Sequence, residues 1–119
     1  MNENTRTDSA SADSASGEAV ERDGLDGSVA DRVVRQMKGF ADGTRLRILY
    51  LLREEELCVH EIVDALDMSQ SAVSHQLRVL RNADLVSDHR EGRHVYYELA
   101  DEHVREMLEN AISHGAEGS

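Results

Sequence analysis

The stretch Ser69–Val86, SQSAVSHQLRVLRNADLV, carries two chemistries on one helical period. Val73, Leu77 and Leu80 fall at i, i+4 and i+7 and point to one side, which has to be buried. Gln70, Ser71, Ser74, His75 and Arg78 fall on the other side, and Ser69 stands where an N-cap belongs, so the spacing predicts a helix to about Asn82. Upstream, Val59 to Leu66 predicts a short helix burying Ile62, Val63 and Leu66, with Asp67 and Met68 as a turn. Downstream the period changes to two. Leu85 and Val86 open one strand, and Val95, Tyr97 and Leu99 alternate with His94, Tyr96 and Glu98 in another. Arg90-Glu91-Gly92-Arg93 supplies the turn, with Gly where a positive φ costs least. Two further helices precede this block, one from residue 28 with Val29, Val33, Met37 and Phe40, the other from Thr44 to Leu52 capped by Asp42. Glu54, Glu55 and Glu56 form a solvated connection, and Asp101 starts a last helix with an apolar stripe of Val104, Met107, Leu108, Ala111 and Ile112.

A short helix, a tight turn and a second helix with small polar and basic side chains outside is the layout of a helix-turn-helix, and the hairpin makes it winged. The fold class is therefore mostly α with a β-hairpin wing, in the order ααααββα. Ser69, Gln70, Ser71, Ser74 and His75 sit on the first turns, where a recognition helix meets base edges. Arg78 is placed to reach a phosphate, and Arg90 and Arg93 at the hairpin tip to touch backbone or minor groove.

Composition first argues against this. The 119 residues carry a net charge of -11, which disfavours a nucleic acid partner. Yet residues 1–27 hold two Arg against seven carboxylates, or -5, and almost no large apolar side chains, so they read as a disordered acidic arm ahead of one domain, 28–119. Residues 75–94, with four Arg against Asp84, Asp88 and Glu91, come to +1. With so few cations at the DNA face, binding should show a shallow salt dependence. Lys38 is the only Lys, and an acidic, Lys-poor surface is what a chain adapted to high salt would carry. With 3% aromatics and no Trp, the core is modest and gains from dimerisation. One Cys excludes an intramolecular disulfide, no leader is visible, and no apolar run nears the roughly 18 residues of a membrane span. These point to a cytoplasmic protein without membrane contact. Nothing suggests an enzyme: no nucleophile stands beside a base and no glycine loop is built for phosphate.

On the last helix, His103 and His114 are 11 residues apart, nearly the same face but about 16 Å along the axis, so one ion cannot bridge them within a chain. If two copies pack antiparallel along the apolar stripe, His103 of one meets His114 of the other. Glu117 shares the face of His114, and Asp101 reaches in from the helix start, a fair tetrahedral set for Zn²⁺. The plain alternative is that Asp101 is an N-cap and the others solvate a terminal helix.

FADGTRLRIL (Phe40–Leu49), ELCVHEI (Glu56–Ile62), the Ser69–Val86 stretch and EGRHVYYEL (Glu91–Leu99) closely resemble the ArsR/SmtB family of metal-sensing winged-helix repressors, over about residues 30–117. Gly43 departs from the Pro that many members place at the start of the second helix. The resemblance implies a homodimer that binds an imperfect palindromic operator and represses metal-efflux or resistance genes until an inducer binds. It also implies that the family's pattern Asp-x-His, ten residues, His-x-x-Glu is met here by Asp101, His103, His114 and Glu117. Oxygen and nitrogen ligands suit Zn²⁺ first, with Co²⁺ or Ni²⁺ as alternatives.

In other members the ELCV cysteine helps form a thiolate-rich site, so Cys58, His60 and Glu61 are a candidate secondary site. Residues 1–27 add no Cys or His, and one thiolate per subunit is too few for soft ions. Two rival functions stand beside the metal repressor. One is a winged-helix repressor sensing oxidation or reactive sulfur through Cys58; the other is a metal-buffering protein that does not bind DNA.

Overall fold

The computed structural model describes residues 23–118. In chain order it contains α1 (Gly27–Phe40), α2 (Gly43–Leu52), β1 (Leu57–Cys58), α3 (Val59–Leu66), α4 (Gln70–Asn82), β2 (Val86–Glu91), β3 (His94–Leu99) and α5 (Glu102–Glu117). This is the expected winged helix-turn-helix with one added element. The expected acidic arm lies, over residues 1–22, outside the described residues.

The chain divides between Arg35 and Gln36, inside α1, into two units. In the first, Asp26 caps α1 by accepting from the Ser28 amide at 2.8 Å and the Val29 amide at 3.3 Å. These bonds, the Ser28 hydroxyl foremost, hold its carboxyl below the usual range. The helix therefore begins one residue earlier than the apolar period indicates. Val29, Val33 and Val34 along it are exposed.

In the second unit, Ile48, Leu49 and Leu52 of α2, Ile62 of α3 and Val73, Leu77 and Leu80 of α4 form the core with Leu85, Val86, Leu99, Val104 and Leu108. Each such side chain contributes about 1.5–3 kcal/mol by leaving water. Side chains satisfy the helix starts: Asp42 accepts from the Arg45 amide at 3.0 Å, Ser69 Oγ from the Ala72 amide at 3.1 Å, and Asp101 from the Val104 amide at 3.0 Å. Between α3 and α4 the chain reverses at Asp67, whose φ of 54° is a left-handed conformation that Asp tolerates. Arg45 joins α1 to α4. It donates to the terminal carbonyls of Gly39 and Lys38 at 2.9 and 3.0 Å and to Gln76 Oε1 at 3.1 Å.

The sheet is antiparallel in the order β1-β3-β2, with Leu57 opposite Tyr97, Cys58 opposite Tyr96, and His89 opposite Tyr96 from the other side. β1 was not expected because two residues show no period; it forms by pairing with the open edge of β3. Arg90 and Glu91, expected in the turn, stay in β2, and the turn closes on Gly92 and Arg93 with Gly92 at φ 64°. The stripe on α5 is also divided. Val104 and Leu108 are buried in the chain's own core, Met107 and Ile112 are half-buried and Ala111 is exposed, so only these last three remain for a partner.

Gly39, near the end of α1, is buried against Leu85 and Ala83. A Cβ there would stand 2.7 Å from Leu85 Cδ1 and 3.1 Å from Ala83 Cβ. Leu85 is itself fully buried and has little room to yield. Gly39→Ala is expected to lower unfolding stability by about 1–3 kcal/mol despite Ala's better helix propensity. A urea denaturation curve with an unchanged midpoint would disprove that packing constraint.

Candidate nucleic-acid interface and metal-ligand residues

Burial of Val73, Leu77 and Leu80 at 0% exposure sets the rotation of α4. Gln70, Ser71, His75 and Arg78 are consequently exposed, Ser74 is half-buried, and Ser69 is committed to the cap. The first turn of α4 is thus a row of small and polar side chains with donors and acceptors for base edges. Ser74 and Arg78 line a shallow hollow of about 160 Å³ with Leu77, Arg81 and Tyr97, where the helix faces the sheet.

The wing is held to this helix by an ion pair. Arg81 Nη1 lies 2.8 Å from Asp88 Oδ2, which links the last turn of α4 to the third pair of β2. By strand alternation Arg90 projects on the same face as Asp88, and with Arg93 in the turn it is exposed. Arg81, one of the four Arg counted in residues 75–94, is paired with Asp88 while still 55% exposed, and Arg78, Arg90 and Arg93 are exposed as well.

The other face of the wing is acidic. Strand alternation places Ser87, His89 and Glu91 of β2 beside His94, Tyr96 and Glu98 of β3 and Cys58 of β1. Partial desolvation, and after it the charges of Cys58, Glu61, Glu91 and Glu56, push the Tyr96 phenol above its usual range. Among the described residues, the group of three ligand atoms within 4.8 Å of one another is Glu56, His89 and Glu91. The sequence hides it because Glu56 belongs to a connection with no period and lies 33 residues from His89. The available signal was the i, i+2 spacing of His89 and Glu91 on one strand.

The residues expected to hold a metal lie at the start of the last helix and along it. His103 and His114, both exposed, lie near the two ends of the 16-residue α5, and Glu117 is its final residue, also exposed. Taking about 100° per residue, His103, Met107, His114 and Glu117 form one stripe turned roughly 60–140° from buried Val104. Asp101 precedes the helix and commits one carboxylate oxygen to the Val104 amide, leaving the other available. The four donors, two imidazoles and two carboxylates, suit a first-row divalent ion, and within one chain they do not converge.

Of the candidate secondary set, Glu61 accepts from the Cys58 amide at 2.9 Å and so serves the start of α3. Cys58 and His60 line a hollow of about 250 Å³ with Val59, Arg93, His94 and Val95. The structure thus places this cysteine beside the wing tip.

The model of the bacterial regulatory protein, arsR family, matches residues 42–88, the segment from the cap of α2 into the wing. The HTH-type transcriptional regulator NmtR of Mycobacterium tuberculosis is 47% identical over 90 residues, covering 76% of this chain and 75% of that protein. This chain belongs to the ArsR/SmtB family. The cadmium resistance transcriptional regulatory protein CadC homolog of Staphylococcus aureus is 40% identical over 86 residues, 71% of each chain. The homodimeric winged helix-turn-helix domain Mb0332 of Mycobacterium bovis superposes with a TM-score of 0.73 at 34% identity, over 76% of this chain and 83% of that one. As an ArsR/SmtB member the protein is a DNA-binding transcriptional regulator and not an enzyme, which sets aside a metal buffer without DNA contact. No helix among the described residues is long and apolar enough to cross a membrane.

Arg78→Ala is expected to weaken operator binding several-fold for all sequences and to reduce the slope of log K against log salt by about 1 per subunit. Fluorescence anisotropy across a salt series measures both, and an unchanged slope would remove Arg78 from the phosphate contacts.

Proposed function

We propose that this ArsR/SmtB regulator is a metal-responsive repressor working in the cytoplasm. In this reading its metal-free dimer holds operator DNA, and its Zn²⁺ form, or a Co²⁺ or Ni²⁺ form, releases it. The observation that carries the reading is the exposure of His103, His114 and Glu117 on one stripe of α5 while the helix buries Val104 and Leu108 elsewhere. All three are exposed, and among the described residues no ion pair or hydrogen bond engages their side chains.

A second copy completes the set. Met107 and Ala111 flank the buried face of α5 on the side of the histidines, and Ile112 flanks it on the other side, where it lines an apolar hollow of about 410 Å³ with Leu46, Tyr50, Leu51 and Leu66. Such a surface suits a homodimer seam. In an antiparallel pair, Asp101 and His103 from one subunit and His114 and Glu117 from the other would hold the ion at each of two symmetric points. When bound, the ion supplies coordinate bonds that join the subunits. The residues of α5 thereby constrain the spacing of the two α4 helices, which have to enter successive major grooves of an imperfect palindrome to bind.

Coupling between ligands of this kind is about 1–3 kcal/mol, while near-complete switching takes roughly 5.5 kcal/mol. The cadmium resistance role in the name of the Staphylococcus aureus relative supports target genes for metal efflux or resistance. With stoichiometric Zn²⁺, operator affinity is expected to fall at least tenfold, and His103→Ala to abolish that fall while leaving metal-free binding intact. An anisotropy titration in which Zn²⁺ leaves wild-type affinity unchanged would overturn the reading. If the response survives His103→Ala and disappears in Cys58→Ala, sensing belongs to the start of α3 instead.

A further inference from the structure

The wing has a charge arrangement that DNA binding does not explain. His89 Nε2 lies 3.2 Å from Glu56 Oε1 and 3.2 Å from Glu91 Oε2, and His89 Nδ1 lies 4.0 Å from Glu98 Oε2. One imidazole N–H cannot serve two carboxylates at full strength, and carboxylates brought this close repel unless a cation lies between them. We propose that Glu56, His89 and Glu91 form a second divalent-cation site, separate from the residues of α5, that takes a first-row ion of the Zn²⁺ class.

Three observations favour an ion here over a solvated acidic surface. First, metal–ligand bonds of about 2.0–2.2 Å place tetrahedral ligand atoms roughly 3.3–3.5 Å apart. The two 3.2 Å separations from Nε2 are close to that edge, and all three ligand atoms lie within 4.8 Å, so small side-chain movements complete the cage. Second, the imidazole is already oriented. Its ring stacks on Tyr96 with centroids 5.9 Å apart and planes at 25°, which holds its plane, and the Glu98 carboxylate lies 4.0 Å from Nδ1, on the side away from Glu56 and Glu91. Third, the donors come from parts of the chain that the fold separates in sequence. Glu56 precedes β1 at one edge of the sheet, while His89 and Glu91 lie on β2 at the other edge.

The consequence is mechanical as well as electrostatic. Glu91 is the last residue of β2, directly before the Gly92 turn and two residues from Arg93. An ion held here ties the tip of the wing across β3 to the connection before β1 and neutralises carboxylates on the face opposite Arg90. Oxygen and imidazole donors without a thiolate select the same class of ion that the α5 residues suit, so the two sites would fill over related concentrations.

The test uses the full chain carrying His103→Ala and His114→Ala, which removes the α5 imidazoles, with Zn²⁺ alone as the probe in isothermal titration calorimetry. That variant is expected to bind one Zn²⁺ per subunit. Adding His89→Gln or, separately, Glu91→Gln is expected to weaken this binding at least tenfold. Both positions lie on the solvent side of the wing, and far-UV circular dichroism confirms that each variant is folded. Absence of Zn²⁺ binding in the α5 variant would overturn the proposal, as would binding that both added substitutions leave unchanged. The α5 set is scored separately, from the difference between wild type and the α5 variant, so either site can fail alone.

Discussion

The burial of one side of α4 is the constraint on which the rest of the molecule depends. Val73, Leu77 and Leu80 have no exposed surface, and a helix cannot rotate by even one residue without driving one of them into water. That packing leaves Gln70, Ser71, His75 and Arg78 outward at the start of the helix. It also sets the far end, where Arg81 takes hold of Asp88 and fixes the wing. Arg45 ties the middle of the same helix to the end of α1 through Gln76. The net charge of -11 belongs to the whole sequence, while Arg78, Arg90 and Arg93 stand exposed on α4 and the wing.

Charge is divided across the two faces of the wing. Arg90 and Arg93 are exposed near the reading helix, while Glu56, Glu91 and Glu98 gather around His89 on the other face. The net value averages over both and describes neither. Each face follows from strand alternation: a shift of one residue in the register of β2 would exchange them.

The helices were legible in the sequence because each carries three or more apolar residues at helical spacing and, in α2, α4 and α5, an acidic or hydroxyl cap whose bond is observed. β1 was not legible, since two residues cannot show a period and its existence depends on the edge of β3. The stripe on α5 was legible as apolar but not as shared: only the packed chain reveals that Val104 and Leu108 belong to the subunit's own core and Met107, Ala111 and Ile112 to its surface. The role of Arg81 was hidden for the same reason, as its partner Asp88 lies in another element. The wing cluster was hidden because it joins residues from the two edges of a sheet. The proposed α5 ligand set rests on its sequence pattern, because within one chain His103 and His114 lie near opposite ends of the helix.

Mixed dimers show most directly whether the residues of α5 act across the subunit boundary, as proposed. In a heterodimer of a His103→Ala subunit and a His114→Ala subunit, one intersubunit set keeps both histidines and the other loses both. Neither parent homodimer retains a complete set. The account predicts that the purified heterodimer regains one tight α5 Zn²⁺ site per dimer, with the wing residues substituted in both chains to keep that site silent. Binding no tighter than in either parent homodimer would contradict it.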